Sequence, residues 1–489
     1  MKRIIPSLTI LMFLSLSLTS QNEVDALRYS RTTFGGSARV MAMGGAFGSL
    51  GADFSTLSTN PAGIGLFKKS EFMFSPSLYI GETKSTYNGS QSGDSKHNFN
   101  MGNVGIVFTT KSANEKSVLR YYHFGFGLNR LNDFNRRIRI EGTNNENSIT
   151  DMWVDYANGV HFQDIEDDFY GDYAYDLHPA WQTYLIDTVP GYYDRYNAAA
   201  AGGHVLQKKN ITSWGSMNEM VVSGGANLSD RLYFGATIGF PFIRYFEEST
   251  YGEVDEDNNF DDFHSLDVYQ YLKTRGSGVN LKFGLIARPI NWLRIGAAIH
   301  SPTWYNNMQD IWYTEVSSRF DNNETFSSAS PEGRYDYQLE TPFKAIGSVS
   351  VVLWRIALIS ADYEYIDYSE SKLRASDYYF DAENAAIRLK YTQTQNIRLG
   401  TEIRFGHFAV RGGAAIYGSP FASGINDGET YYYSGGFGYR EKHFYFDLSY
   451  TRGISNEDYY LYGSENVRVN PVSNQLISNN VVATLGFRF

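Results

Sequence analysis

Cysteine is missing from all 489 residues, which excludes a disulfide scaffold, Cys-ligated zinc, thiolate iron–sulfur ligation and a cysteine nucleophile together. Positive charge is also in short supply. The 42 basic residues face 53 acidic ones, and the resulting formal charge of −11 argues against wrapping nucleic acid. Beyond the N-terminal run from Ile4 to Leu18, no uncharged apolar stretch is long enough to cross a membrane as a helix. Proline is scarce at 12 residues, and no segment has the composition of an interdomain linker, so the length points to one large architecture. What remains abundant is aromatic and small: 38 tyrosines, 33 phenylalanines, 7 tryptophans and 46 glycines, in a chain only 42% hydrophobic. That mixture favours strands over helices.

The two ends carry different messages. Lys2 and Arg3 precede the apolar run Ile4 to Leu18, followed by Thr19, Ser20 and Gln21. This is the layout of a secretory signal peptide of residues 1–20, cleaved after Ser20. At the other end, Val481, Ala483, Leu485, Phe487 and Phe489 alternate with Val482, Thr484, Gly486 and Arg488. One face of such a strand is apolar and the other small or polar, the dyad pattern of a barrel strand with lipid outside and a wet lumen inside.

Repetition decides between a barrel and a soluble sandwich. The same alternation recurs at 72–80, 102–108, 122–128, 220–228, 232–240, 279–287, 293–299, 345–353, 357–365, 397–405, 408–416, 433–439 and 444–450. With the terminal strand this makes fourteen, an even number that lets a bacterial barrel begin and end on the periplasmic side. The expected fold is therefore an all-β membrane protein, a transmembrane antiparallel β-barrel of about 14 strands, in the bacterial outer membrane. Phe444, Phe446, Phe487 and Phe489 are expected to face lipid.

Glycines 125, 127, 235, 239, 284, 296, 400 and 413 fall on the inward face and leave space along the wall. A lumen of this width needs filling. The filler is expected at residues 21–70, an N-terminal hatch inside the lumen, with the barrel at 71–489. Residues 35–67 are dense in Gly, Ala and Ser, lack strand alternation, and are too apolar for a solvated tail. Asn60-Pro61-Ala62-Gly63 reads as a turn in which Pro61 fixes one dihedral and Gly63 takes positive φ, close to the periplasmic end.

Gly44-Gly45-Ala46, Asp53 and Asn60-Pro61-Ala62-Gly63 together resemble the N-terminal hatch of FadL-type outer-membrane transporters of long-chain fatty acids, a family that also includes channels for aromatic hydrocarbons. The similarity continues weakly through Leu293–Pro302 and Ile397–Tyr417. The resemblance implies those eight hatch residues as a gate. It implies hydrophobic ligand entering from outside, binding among apolar lumen side chains and leaving sideways into the membrane. The partners it implies are fatty acids or aromatic hydrocarbons, outer-membrane lipids and, during biogenesis, the assembly machinery. The chain is expected to act as a monomer without a cofactor or metal.

An insertion at about 135–211 departs from the family pattern and reads as an extracellular cap with short helices carrying Met152, Tyr156, Val160 and Ile165. The acidic run Glu253–Asp262 lacks EF-hand spacing and reads as a solvated loop. Inward-pointing Arg294, Asp362, Glu364, Arg398, Glu402, Arg404, Arg411, Asp447 and Arg488 are expected to form ion pairs between wall and plug. His123 and His300 lack the paired spacing of metal or haem ligands. A non-transporting barrel for ligand capture or adhesion is the competing reading. An outer-membrane phospholipase would need a Ser and His constellation that does not assemble from the sequence.

Overall fold

All fourteen alternating segments are strands in the computed structural model, which describes residues 22–114, 117–354 and 356–489. The proposed signal peptide lies outside the described residues. The strands are β1 (Glu71–Tyr87), β2 (Ser90–Lys111), β3 (Leu119–Asp133), β4 (Val205–Leu228), β5 (Leu232–Val254), β6 (Phe263–Ile290), β7 (Leu293–His300), β8 (Lys344–Leu353), β9 (Ala357–Asp367), β10 (Gln393–Phe405), β11 (Phe408–Tyr417), β12 (Thr430–Arg440), β13 (Phe444–Tyr459) and β14 (Val472–Arg488). Each pairs antiparallel with the next, and β1 pairs with β14 from Glu71↔Arg488 to Thr86↔Ser473, closing the ring. Pro76 has no N–H to give and sits where the β1–β2 register shifts.

One end of the cylinder has tight turns. Ser229 and Asp230, both at positive φ, join β4 to β5, and Gly406-His407 joins β10 to β11. The other end carries the long connections, so it faces outward and the tight turns face the periplasm. On β5 the outward side chains run Leu232, Phe234, Ala236, Ile238, Phe240 and Phe242 before Arg244. Those eleven residues cover about 25 Å of height at a rise of ~3.3 Å and a tilt of ~40°, the depth of an apolar membrane band. Phe444, Phe487 and Phe489 are exposed on this outer surface, and Phe446 is partly so. Phe446 is the third residue of β13 above the periplasmic turn, near the lower edge of the band. Replacing it with Arg is therefore expected to destabilise the folded barrel by about 1 kcal/mol or less rather than the roughly 2 to 4 kcal/mol of a midplane arginine, measured by reversible denaturant titration in bilayers.

Strands β4, β5 and β6 continue far beyond this band, and Trp304–Phe320 with Gly333–Glu340 prolong β7 and β8 upward. Alternation does not mark these extensions because above the lipid both faces meet water or polar groups. The insertion at 135–211 is correspondingly less of a cap than expected. Arg136–Asn144 pairs with Val205–Ser213 as wall, and only the residues between them depart from the sheet. There α3 (Ile149–Ala157), α4 (Phe162–Glu166) and α5 (Leu177–Gln182) pack Met152, Trp153, Ile165 and Leu177 onto wall residues such as Tyr87, Tyr251 and Val316.

Glu253 is not part of a solvated loop. It is fully buried and accepts hydrogen bonds from Ser148 Oγ, Ile149 N, Gln207 Nε2 and Tyr251 Oη, tying the first turn of α3 to the wall. Burial raises its carboxyl above the ordinary range, and those four donors pull the other way. Farther along, Asp255 closes its own loop by accepting from the N–H groups of Asn259 and Phe260.

A second cap carboxyl, Asp176 at the N-terminus of α5, is pushed up to about 6 by burial, against the opposing pull of backbone N–H bonds. A carboxyl raised on folding holds its proton more tightly folded than unfolded. Its contribution to stability is therefore complete below the unfolded value near 3.8 and is lost as the pH rises through about 6. Hydrogen exchange of α5, corrected for intrinsic rates, is expected to be slower at pH 5 than at pH 7. Asp176→Asn is expected to flatten that dependence.

Candidate functional site

The lumen is filled by residues 23–66, whose small side chains let backbone approach the wall. α1 (Glu23–Ser30) is capped by Asn22 and lies at the outer end of the lumen. There Tyr391 donates to the carbonyl of Glu23, Lys390 pairs with its carboxylate at 2.7 Å, and Tyr29 packs edge-on against Phe134 and Tyr245. α2 (Ala38–Ala42), in the middle of the lumen, follows Ser37, whose hydroxyl donates to Asp53 Oδ2 at 2.7 Å. Asp53 in turn caps the 3-10 helix Phe54–Ser58 by accepting from Ser55 N. Two carboxylate latches hold this middle stretch to the wall. Glu402 of β10 pairs with Arg39 at 3.0 Å, and Asp362 of β9 accepts from the N–H groups of Phe47 and Gly48 at 3.0 and 2.9 Å. Arg294 adds a bond to the carbonyl of Leu50. Glu402 also pairs with Arg404 and Arg411, and Arg411 with Asp447.

Gly44 and Gly45 sit at φ +61° and +76°, turning the chain after α2 so that Gly45 N reaches the carbonyl of Val40. Ala46 is fully buried beside them. A side chain on Gly413 of β11 would strike the backbone of Met43 and Gly44, and one on Gly400 would strike the carbonyl of Met43. At the periplasmic end Asn60 accepts from Ala62 N, donates to the carbonyl of Gly48 at 2.6 Å, and reaches the wall carbonyl of Leu285 at 3.3 Å. Pro61 opens the 3-10 helix Pro61–Leu66, and Ala62 packs on Tyr233 and Ile286. Gly63 does not adopt positive φ. It is small because a Cβ there would collide with Thr56, and its carbonyl accepts from Ala52 N.

The eight sequence-selected residues thus fall in two groups against different strands, Gly44 to Ala46 near β10 and β11, and Asn60 to Gly63 near β5 and β6, with Asp53 bracing the interior between them. Of the inward glycines, all but Gly239 face residues of this plug; Gly239 faces Glu219 and Asn280. His123 contacts Thr109, and His300 contacts the carbonyl of Thr59. No cluster of His, Asp and Glu able to hold a metal occurs among the described residues.

A feature that sequence could not reveal lies between β2 and β3. Their ladder runs only from Asn103↔Asn129 to Lys111↔Tyr121. Nearer the outside, β2 pairs with β1 alone, and residues 130–144 pair with β4 alone. Side chains bridge the gap in place of backbone: Lys96 to the carbonyl of Ser213, Asn100 to Asp133, and Asn88 to the carbonyl of Thr143. This seam starts within the apolar band, where Phe99 is 76% exposed on the outer face. Behind it runs the segment joining α1 to α2. Thr33 N donates to the carbonyl of Leu131 at 3.0 Å, Asn132 donates to the carbonyl of Arg31, and Gly35 and Gly36 touch Arg130 and Gly102 so closely that a Cβ on either side would clash.

The same segment borders a cavity of about 90 Å³ that reaches Asn129 to Leu131 at the seam. Its lining is polar, unlike the apolar lumen site that the family resemblance implies. Lys282 pairs with Glu219, Lys344 donates to Thr32, and Arg398 bonds Glu364 and Tyr417 through Nη1 while its Nη2 has no hydrogen-bond partner.

Among solved structures the chain is similar to the Pseudomonas putida toluene transporter TodX, at a TM-score of 0.54 and 11% identity over 94% of this chain and 99% of that one. It is equally similar to a Pseudomonas aeruginosa FadL homologue, at 0.54, 11%, 94% and 99%. The Ralstonia pickettii toluene transporter TbuX gives 0.51 and 14% identity over 94% of this chain and all of that one. No protein-family model and no curated protein matches the sequence. At identities this low the likeness is one of fold: a closed barrel of 14 antiparallel strands.

Proposed function

We propose that the protein passes hydrophobic molecules with a polar head, such as long-chain fatty acids, across the outer membrane without an energy source. Residues 21–70 act as the hatch within a monomeric barrel of residues 71–489, and Gly44, Gly45, Ala46, Asp53, Asn60, Pro61, Ala62 and Gly63 keep it seated. The observation that carries this reading is the seam backed by hatch backbone. A plug latched to β9 and β10 blocks straight aqueous flow, and the wall's missing ladder between β2 and β3 faces lipid. Movement of residues 31–36 would join the polar cavity to the bilayer. The cavity suits the head of the ligand better than its tail: it is small, and the spare guanidinium N–H of Arg398 matches a carboxylate. An apolar tail would lie toward the seam, where leaving water drives it outward.

The test exploits the absence of native cysteine. Thr33→Cys and Leu131→Cys, bridged through two disulfides by a short bis-methanethiosulfonate, would pin the hatch across the seam. Uptake of a labelled fatty acid into liposomes holding the purified barrel is expected to fall to background when bridged and to return on reduction. Uptake indifferent to the bridge would refute the lateral route. A barrel that takes up no ligand in any state would instead support capture or adhesion.

A further inference from the structure

We infer that the outer wall carries a binding site for the phosphorylated headgroup of an outer-leaflet lipid. A groove of about 640 Å³ opens on the wall just above the apolar band; its inner lining, Ile243, Met308 and Tyr337, belongs to the buried cluster that holds Ala26, Leu27 and Tyr29 of α1. Two irregularities create it. Pro241 interrupts the β5–β6 ladder, which skips from Gly239↔Asn280 to Phe242↔Ser277, and a bulge at Asn306 and Asn307 shifts the register of the next strand.

Arg244 and Arg275 stand directly opposite each other in this register, both exposed and both on the outward face. Like charges in that relation repel across a sheet. Neither guanidinium forms an ion pair with a carboxylate among the described residues, and that of Arg244 lies over the Phe246 ring, 5.8 Å from its centroid. The groove's one acidic side chain, Asp336, accepts from Gln309 at 2.7 Å. In a chain with eleven more acidic than basic residues, two arginines facing one another without a carboxylate mark a place for an external anion.

Height selects the source of that anion. Immediately below Arg244 the outward residues are Phe242 and Phe240, and below Arg275 they are Ser277, Val279 and Leu281. A molecule with phosphates in the groove would lay its acyl chains on that apolar surface, whereas free phosphate would gain nothing from it. Both arginines offer forked N–H pairs suited to phosphate oxygens.

The experiment is native mass spectrometry of the full-length barrel, with bisphosphorylated lipid A, its dephosphorylated form and inorganic phosphate as probes. Bisphosphorylated lipid A is expected to bind, and Arg244→Gln with Arg275→Gln to weaken it by about tenfold or more. Arg319→Gln, higher on the same wall, serves as the control and is expected to change nothing. Heat-dependent gel mobility checks that each variant is folded, and Arg275→Gln alone repeats the test if the double variant is not. Undiminished binding by the variants, equal binding of the dephosphorylated lipid, or displacement of lipid by millimolar phosphate would each overturn the proposal.

Discussion

Replacing Glu402 with Leu is expected to release the hatch while leaving the cylinder standing. Glu402 has no solvent exposure and holds Arg39 of the hatch together with Arg404 and Arg411 of the wall. Its loss would leave Arg39 without a carboxylate in a dry site, beside two other guanidiniums. Removing one member of a buried ion pair typically costs about 3 to 5 kcal/mol, far more than the pair itself contributes over an apolar substitute. Hydrogen exchange of residues 38–50 is expected to accelerate by ~10²–10⁴. The ladders of β9 to β12 do not pass through this side chain, so exchange of wall amides is expected to hold. Equal acceleration in hatch and wall would show that the network belongs to the cylinder and is no latch.

Gly413→Ala is the complementary test, made from the wall side. In an ordinary strand conformation Ala is favoured over Gly by roughly 0.5 to 1 kcal/mol, so the β10–β11–β12 ladder should gain slightly. The added Cβ, however, meets the backbone of Met43 and Gly44, and backbone has no rotamer by which to withdraw. The turn at Gly44 and Gly45 must lift from the wall, loosening both carboxylate latches on either side of it. The expected result is a barrel with normal heat-dependent gel mobility that leaks small ions in planar bilayers. A tight barrel with an unshifted hatch would mean that the wall bends instead.

Alternation located every membrane-crossing strand because one physical condition, lipid on one face only, acts on all of them. Where that condition stops, so does the signal. The upper half of β4, and the Trp304–Phe320 and Gly333–Glu340 strands, carry no such pattern for that reason. Glu253 reads as solvated because Asp255, Glu256, Asp257, Asp261 and Asp262 follow it. The residues that enclose it, Ser148, Gln207 and Tyr251, are mostly distant in sequence. The hatch is legible through its small residues, whereas the reason Gly63 is glycine is not. A crowded contact with Thr56 and a left-handed turn leave the same mark in a sequence. The seam left none at all, since a missing backbone ladder involves no particular side chain.

The closing pair of the ring joins Glu71 to Arg488, 417 residues apart in the chain. Contacts of such separation form late, because the entropy of closing so long a loop is met before any contact rewards it. The hatch leads directly into β1 and reaches from the periplasmic end up to α1 beneath the cap. Threading that bulk through a finished cylinder would require opening it, so the ring must zip up around a hatch already laid in place. Folding thus sets a kinetic confinement: a hatch that stays folded cannot leave without breaking the β1–β14 ladder, so weakened latches act first by letting it unfold locally.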